Sequence, residues 1–368
     1  MKPLGLLVVS KEAWEDRRWA RKQWLPYYLS QRKEFDRIVY LDRHCGWWRG
    51  ESPHPALYKR NIEIRQERLL LPLERCSLVR SWNRKWIASR LTPLLGEDRV
   101  WAILFYHPFD MEMMEALKQK SKIIFDWTED WATFHDDPSL EKLQRKSVEG
   151  ADVVLTVTSL LRDRAIAWRG SDSGVFHVPN ATALETSGMV SEEAESIRKL
   201  VRPRIGFIGH AGPWFDEKLV AAIVRQRPDW QWIMVGGCND VAKQALSGED
   251  NVHWQGAQSP DQLLSYMQHC DVLVAPYRRG IEGDATKLYD YLVAGKPIVS
   301  TVCETAEMLQ PWVKSCDGLD AWLETLDAVL SERPSAGFEP CPASEIKAHH
   351  WRARAAKVSE IIREIFHG

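Results

Sequence analysis

With 368 residues, 45% of them hydrophobic and 27% charged, the chain is long enough for two cores and has the composition of a soluble globular protein. Its longest apolar runs, such as LGLLVV and DVLVA, fall far short of the roughly 18 to 20 residues that a membrane-spanning helix needs. The net charge of -2 is unevenly spread: the first hundred residues hold 21 Lys and Arg against 12 Asp and Glu, so this region either meets an anionic partner or is simply solvated by arginine.

In chain order, MKPLGLLVVSKEAWEDRR begins with an apolar stretch, but charges follow at once and no small-residue cleavage site appears. It reads as a first strand rather than a signal peptide, which points to the cytoplasm. LGLLVVS, RIVYLDR, IEIRQERLLLP, VWAILFYHP, KIIFDWTED, ADVVLTVT and VFHVPN follow the strand pattern, with helical patterns between most of them. Residues 185–202, ETSGMVSEEAESIRKLVR, are polar and acidic and end at Pro203, which predicts a connection. Strands then resume with RIGFIGH, WQWIMVGG, NVHWQG, DVLVAPY and PIVST. SEIKAHHWRARAAKVSEIIREIF closes the chain as one helix, with Ile346, Trp351, Ala355, Val358, Ile361, Ile362 and Ile365 approximating one face.

This alternation predicts an α/β fold of two Rossmann-like, doubly wound parallel-sheet domains, residues 1–184 and 203–342, joined by 185–202 and followed by a terminal helix at 343–368. Two such domains facing each other across a cleft would hold a ligand at the carboxyl ends of their strands. Seven cysteines without a CxxC pair predict reduced thiols, neither a zinc site nor a disulfide framework.

Two stretches of the second half carry chemistry. RIGFIGHAGPWFDEKLV is strand, turn and helix, with Gly209 and Gly212 in the turn; glycines there admit a ligand to the backbone, and the amides that open the helix suit a phosphate. GDATKLYDYLVAGKP is a helix with Asp284 or Thr286 as its cap and Gly295 and Pro297 as its stop. Lys287 lies in its first turn, where a cation is disfavoured by about 0.3 to 1 kcal/mol unless an anion shares the place. Glu282 and Asp290, with seven residues between them, fit two readings. Either both line a pocket and accept hydrogen bonds from sugar hydroxyls, or the helix is solvated and Lys287 pairs with Asp290 across i, i+3.

EGADVVLTVTSLLRDRA…VFHVPNA, RPRIGFIGHAGPWFD, RPDWQWIMVGG, NVHWQGAQSPDQLLSYMQHCDVLVAPYR and TKLYDYLVAGKPIVST, in this order, resemble the GT-B glycosyltransferases, in particular bacterial enzymes of polysaccharide, teichuronic-acid-like or lipid-linked sugar assembly. The resemblance runs over essentially the whole chain. It implies that the second domain binds a nucleotide diphosphate sugar, the first an acceptor glycan or lipid-linked sugar, and that the terminal helix packs back on the first domain. Glu282 and Asp290 fall on the family's Glu-x7-Glu pair, with Asp at the second position, the one that holds the ribose. Lys287 and the amides of Thr286 and Leu288 match the pyrophosphate-binding helix start. Gly209, His210 and Gly212 match the loop opposite the phosphates, and Arg278 adds a positive charge or is an exposed loop arginine. The class works without a metal or other cofactor at the chemistry, and this sequence lacks the Asp-x-Asp signature of the metal-dependent class.

In the first half the loop FDWTEDWATF presents Asp126, Glu129 and Asp130. Asp130 or Asp126 is the expected base for the acceptor hydroxyl, with capping and salt bridging as the alternative. His107 ends the strand of LFYHPFD either as a structural histidine or as a residue of the site. Two basic, aromatic stretches, residues 14–24 (Trp14, Trp19 and Trp24 among Arg17, Arg18, Arg21 and Lys22) and residues 80–90 (Trp82 and Trp86 among Arg80, Arg84, Lys85 and Arg90), suit either an anionic membrane surface or inward packing of tryptophan. No nucleic-acid-binding module accompanies them. The whole predicts a glycosyltransferase of cell-surface polysaccharide assembly, cytoplasmic and peripheral to the inner face of the membrane. A sugar-nucleotide epimerase of the same fold and a non-catalytic nucleotide- or partner-binding relative are the alternatives.

Overall fold

The computed structural model describes residues 2–10, 12–14, 19–42, 45–46, 57–59, 62–71, 76–134, 137–185, 192–280, 283–331 and 339–367. Two compact units divide the chain: residues 1–180 with 351–368, and residues 181–350.

The first unit contains β1 (Leu4–Val9), β2 (Phe35–Leu41), β3 (Cys45–Gly46), β4 (Leu57–Lys59), β5 (Ile62–Arg65), β6 (Arg68–Leu69), β7 (Val100–Phe105), β8 (Ser121–Trp127), β9 (Val153–Thr156) and β10 (Val175–His177). Eight of them form one sheet in the order β10-β9-β8-β7-β1-β2-β5-β4, while β3 pairs with β6. All neighbours in the sheet run parallel except β4 against β5. The central strands are apolar on both faces, as helices on both sides of a parallel sheet require: all six residues of β1 are buried. The expected strand IEIRQERLLLP is divided between β5 and β6.

Helix Trp351–His367 belongs to this unit. It buries Trp351, Ala355, Val358 and Ile362 and lies against helix Arg21–Leu29. Lys357 Nζ donates to the His177 carbonyl at 2.7 Å, and Arg354 Nε to the Pro179 carbonyl at 3.2 Å. The single terminal helix read from sequence is two helices, Ala343–Ala348 and Trp351–His367. The interruption has a local cause, because the His349 carbonyl turns away to accept the Thr182 amide at 3.0 Å. Ile346 consequently joins the core of the second unit rather than the face that carries Trp351.

In the basic, aromatic stretch at 14–24, Trp14 and Arg21 pack inward, while Trp19, Lys22 and Trp24 are half-buried. Trp14 is fully buried, edge-on to Tyr40 at 4.8 Å, and Trp19 joins Trp14 to Trp24 with centroid distances of 4.7 and 4.8 Å. Arg21 is buried and bonded to Asp126. The mutual packing of these rings and the buried Arg21 fit the inward-packing alternative; Arg17 and Arg18 lie outside the described residues.

The second unit contains β11 (Arg204–Ile208), β12 (Gln231–Val235), β13 (Val252–Gly256), β14 (Val272–Ala275), β15 (Ile298–Thr301) and β16 (Val313–Cys316), in the order β13-β12-β11-β14-β15-β16. Every pairing is parallel. This is the doubly wound order, and it reverses direction between β11 and β14, the point where such sheets bind ligands. Residues 181–185 and 192–202, expected in part as a connection, are grouped with this unit: Ile197 is buried in its core, with Leu184, Ala194 and Leu200 packed against it.

Candidate functional site

At the switch point of the second unit three segments converge: the turn after β11, the turn after β14, and helix Thr286–Ala294. Gly209 follows β11 with φ +146° and Gly236 follows β12 with φ +124°, values that side-chain-bearing residues rarely adopt. Space is equally restrictive. A Cβ on Gly236 would stand 2.2 Å from the Gly209 carbonyl oxygen, and one on Gly209 would stand 2.9 Å from Lys287 Cε. Lys287 therefore lies directly on backbone.

Its ammonium is held by two rings, with Nζ 4.4 Å from the centroid of Phe207 and 4.9 Å from that of Tyr277, a cation–π arrangement. No carboxylate among the described residues pairs with it, and the i, i+3 ion pair with Asp290 does not form. Loss of water among these groups pushes the amine pKa down to about 7. Asp290 Oδ1 accepts the Thr182 hydroxyl at 2.6 Å. Desolvation nevertheless pushes the Asp290 pKa up to about 6, the Thr182 bond opposing the shift. A cation and a carboxylate thus occupy successive turns of one helix, each short of water and neither neutralising the other.

Tyr291 fixes that helix against the sheet. Its side chain is fully buried; the hydroxyl accepts the Ile208 amide at 2.9 Å and lies 3.2 Å from the Ile208 carbonyl and 3.3 Å from that of Val274. The bond spans the two strands of the switch point. Tyr291→Phe leaves the Ile208 amide unpaired in the interior and is expected to cost about 1 to 3 kcal/mol of stability, measurable by urea unfolding.

The remaining expected donor-binding residues are distributed as follows. His210 is exposed and edge-on to Trp214 at 6.0 Å; a Cβ on Gly212 or Gly237 would meet its ring within 3.0 Å. The Thr286 and Leu288 amides already donate within the chain, to Asp284 and Ala285 carbonyls at 2.8 and 2.9 Å, and the Leu288 side chain is in the core. Neither Asp284 nor Thr286 caps the helix: the N-cap is Ala285, without a side-chain bond. Arg278 is committed to Glu217 through two bonds of 2.7 and 2.6 Å and to the Phe215 carbonyl at 3.0 Å; it braces the loop. Glu282 lies outside the described residues. Sequence reasoning passed over Phe207, Tyr277, Tyr291 and Thr182. The first three were hidden in runs that read as core, and Thr182 stands far away in sequence.

In the first unit, β7 and β8 present the three residues considered for proton transfer. Asp126 is wholly buried at the end of β8, and Arg21 Nε donates to it at 2.8 Å while Arg21 Nη1 donates to the Val178 carbonyl at 2.9 Å. Desolvation raises its pKa against the pull of Arg21. An acceptor hydroxyl cannot reach it, so its expected role as a base is corrected to that of an internal tie. Asp130 is 6% exposed and accepts from Gln144 Nε2 at 2.9 Å, Thr133 Oγ1 at 2.8 Å and Arg164. Burial pushes its pKa up, but these donors outweigh that and hold it below the usual carboxylate range; this makes it a weak base with its lone pairs engaged. The capping and salt-bridging alternative fits both aspartates. His107 sits half-buried against Trp131, 4.3 Å away, and Phe109, 4.7 Å away. Its Nδ1 accepts the Phe109 amide at 3.3 Å, which fits the structural histidine of the two readings.

Comparison with known proteins agrees with this architecture. Solved structures of the same form include a sucrose-phosphate synthase (tll1590) from Thermosynechococcus elongatus, with TM-score 0.75, 14% identity and coverage of 98% of this chain and 99% of that one. Another is Anabaena Alr3699/HepE in complex with UDP, with TM-score 0.69, 13% identity and coverage of 99% and 100%. The chain has the GT-B glycosyltransferase fold. Within it, residues 202–331 match the family described as Glycosyl transferases group 1, a span that takes in β11 to β16 and helix Thr286–Ala294. The chain is also 35% identical over 249 residues to TuaH of Bacillus subtilis (strain 168), a protein assigned to teichuronic acid biosynthesis as a glycosyltransferase; the match spans 62% of each chain. The switch point of the second unit, within the matched span, carries both Lys287 and Asp290 on helix Thr286–Ala294. No helix among the described residues is long and apolar enough to cross a membrane.

Proposed function

We propose that the chain is a glycosyltransferase that moves a sugar from a nucleotide diphosphate sugar to a glycan or lipid-linked acceptor in cell-surface polysaccharide assembly. The observation that carries this reading is Lys287, a cation caged by Phe207 and Tyr277 beside Gly209 without a carboxylate partner among the described residues. A diphosphate supplies the missing anion, and a desolvated ammonium stabilises the charge that develops on it as the bond to the sugar breaks. Asp290 takes the ribose: Thr182 occupies Oδ1, and Oδ2 accepts a ribose hydroxyl. HepE with UDP and with UDP-glucose supports a uridine nucleotide as the first to test. Because Lys287 carries the compensating charge, the reading assigns no step to a metal. The first unit takes the acceptor.

Transfer of radiolabelled sugar from UDP-, GDP- and dTDP-sugars into glycan and lipid extracts, with and without EDTA, tests the proposal. Transfer that persists in EDTA is expected. Binding without transfer would leave a nucleotide-binding protein, and conversion of the free sugar nucleotide without acceptor would leave an epimerase.

The same two groups set a pH window. The diphosphate needs the ammonium form of Lys287, complete only below about pH 7, and the ribose hydroxyl needs the carboxylate form of Asp290, complete only above about pH 6. Nucleotide affinity is expected to peak between these values and to fall by up to about tenfold per unit on the alkaline side, as measured by titration calorimetry.

A further inference from the structure

Helix Ser77–Leu91 has an inner face that is fully engaged. Ile87, Ala88 and Leu91 enter the core. Asn83 accepts the Leu71 amide and donates to the Leu71 carbonyl, both at 2.9 Å, and Arg84 meets Asp110 at 2.6 Å with both side chains sealed from water. Its outer face is unlike the rest of the described surface. Leu78, Trp82 and Trp86 are 68%, 56% and 41% exposed, and their spacing of four aligns them in one stripe. Leu70, 43% exposed, precedes the residue that Asn83 grips, which keeps it beside the middle of the helix.

The charge on this element has one sign. SLVRSWNRKWIASRL contains four basic residues and no acid. Lys85 and Arg90 are exposed next to the stripe, Arg90 with its Nε 3.7 Å from the Glu67 carboxylate, while Arg80 lies over the Phe109 ring at 4.2 Å. Exposed tryptophans aligned with leucine form an apolar strip that water solvates poorly. Indole rings suit the depth at which lipid headgroups meet acyl chains, and neighbouring cations then face the phosphates. A patch of mixed signs would fit a protein partner; a helix that exposes only cations, with the Glu67 carboxylate beside Arg90 buried, fits a plane of uniform negative charge.

We propose that the outer face of helix Ser77–Leu91 docks on an anionic lipid surface, with Leu78, Trp82 and Trp86 entering the headgroup layer and Lys85 and Arg90 meeting phosphates. The inference is independent of the transfer reaction, and it assigns membrane contact to this helix rather than to residues 14–24, where Trp14 is buried and Trp19 and Trp24 pack on one another's rings.

Flotation of the full chain with vesicles containing phosphatidylglycerol, or made of phosphatidylcholine alone, tests it. The chain is expected to float with the anionic vesicles, to do so less as salt is raised, and to float poorly with phosphatidylcholine. Trp82→Ser with Trp86→Ser is expected to lower the bound fraction at least tenfold, and Lys85→Gln with Arg90→Gln to lower the partition coefficient about fivefold for each cation removed. Circular dichroism melts that match the parent's show that the variants are folded, as these four side chains are exposed. The proposal is overturned if the parent does not float, or if both variants float as the parent does. It is overturned equally if light scattering shows a dimer that the tryptophan variant abolishes while no vesicle is bound, since a second copy then covers the face.

Discussion

Lys287→Met is expected to raise the stability of the protein and to abolish nucleotide binding. The amine pKa of about 7 in the folded chain lies well below the ordinary lysine value of about 10.4, so between these values the unfolded chain binds more protons and stability rises with pH. At and below pH 7 the full penalty of holding the ammonium among Phe207, Tyr277 and Gly209 is present. Methionine fills the same space without charge, and a gain on the order of a few kcal/mol is expected near neutrality, shrinking as the pH approaches 10. Thermal melts at pH 6.5 and 9.5 measure it. Binding is expected to weaken by 100-fold or more, since a charge-assisted bond to a diphosphate contributes about 1.5 to 3 kcal/mol in ordinary settings and more in one this dry. A residue that destabilises the free protein and is required by its ligand marks a binding site. A lysine that serves the fold would behave in the opposite way.

Asp126→Ala separates structure from catalysis in the first unit. Removal of the carboxylate leaves the Arg21 guanidinium buried without its partner, and breaking such a pair costs about 3 to 5 kcal/mol. Urea unfolding is expected to show that loss, while the rate of sugar transfer per folded molecule stays within a few-fold of the parent. Had Asp126 been the base that accepts the acceptor's proton, the rate would fall by about 100-fold or more with little change in stability.

The two cases show how far the sequence reaches. Parallel order and strand positions were legible because buried strands are written as continuous apolar runs, and β1, β11 and β14 are such runs. β16 escaped because VKSC is four residues long and half exposed at the sheet edge. Lys287 was legible because a cation in the first turn of a helix contradicts the local electrostatics, a conflict visible without coordinates. Its partners were not, since Phe207 and Tyr277 look like any other apolar residue of a strand and a loop. Thr182 stands 108 positions from Asp290, and only the fold brings them together. Asp126 and Asp130 stayed ambiguous in the sequence for a related reason. An acidic loop after a strand reads alike whether its carboxylates face solvent or an internal arginine, and Arg21, which decides the matter, lies 105 residues away. In the basic segments the same ambiguity divides: tryptophans 14, 19 and 24 cluster with one another, while Trp82 and Trp86 face outward.

The central claim, that Lys287 receives the diphosphate of a nucleotide, is tested most directly by titration calorimetry of UDP, GDP and dTDP at pH 8 in two buffers of different ionisation heat. At that pH most of the amine is neutral in the free protein, so a diphosphate that binds it must draw in a proton. For at least one nucleotide the parent is expected to take up close to one proton per molecule bound, and Lys287→Met to show neither binding nor uptake. Binding without proton uptake, or binding that Lys287→Met leaves intact, would contradict it.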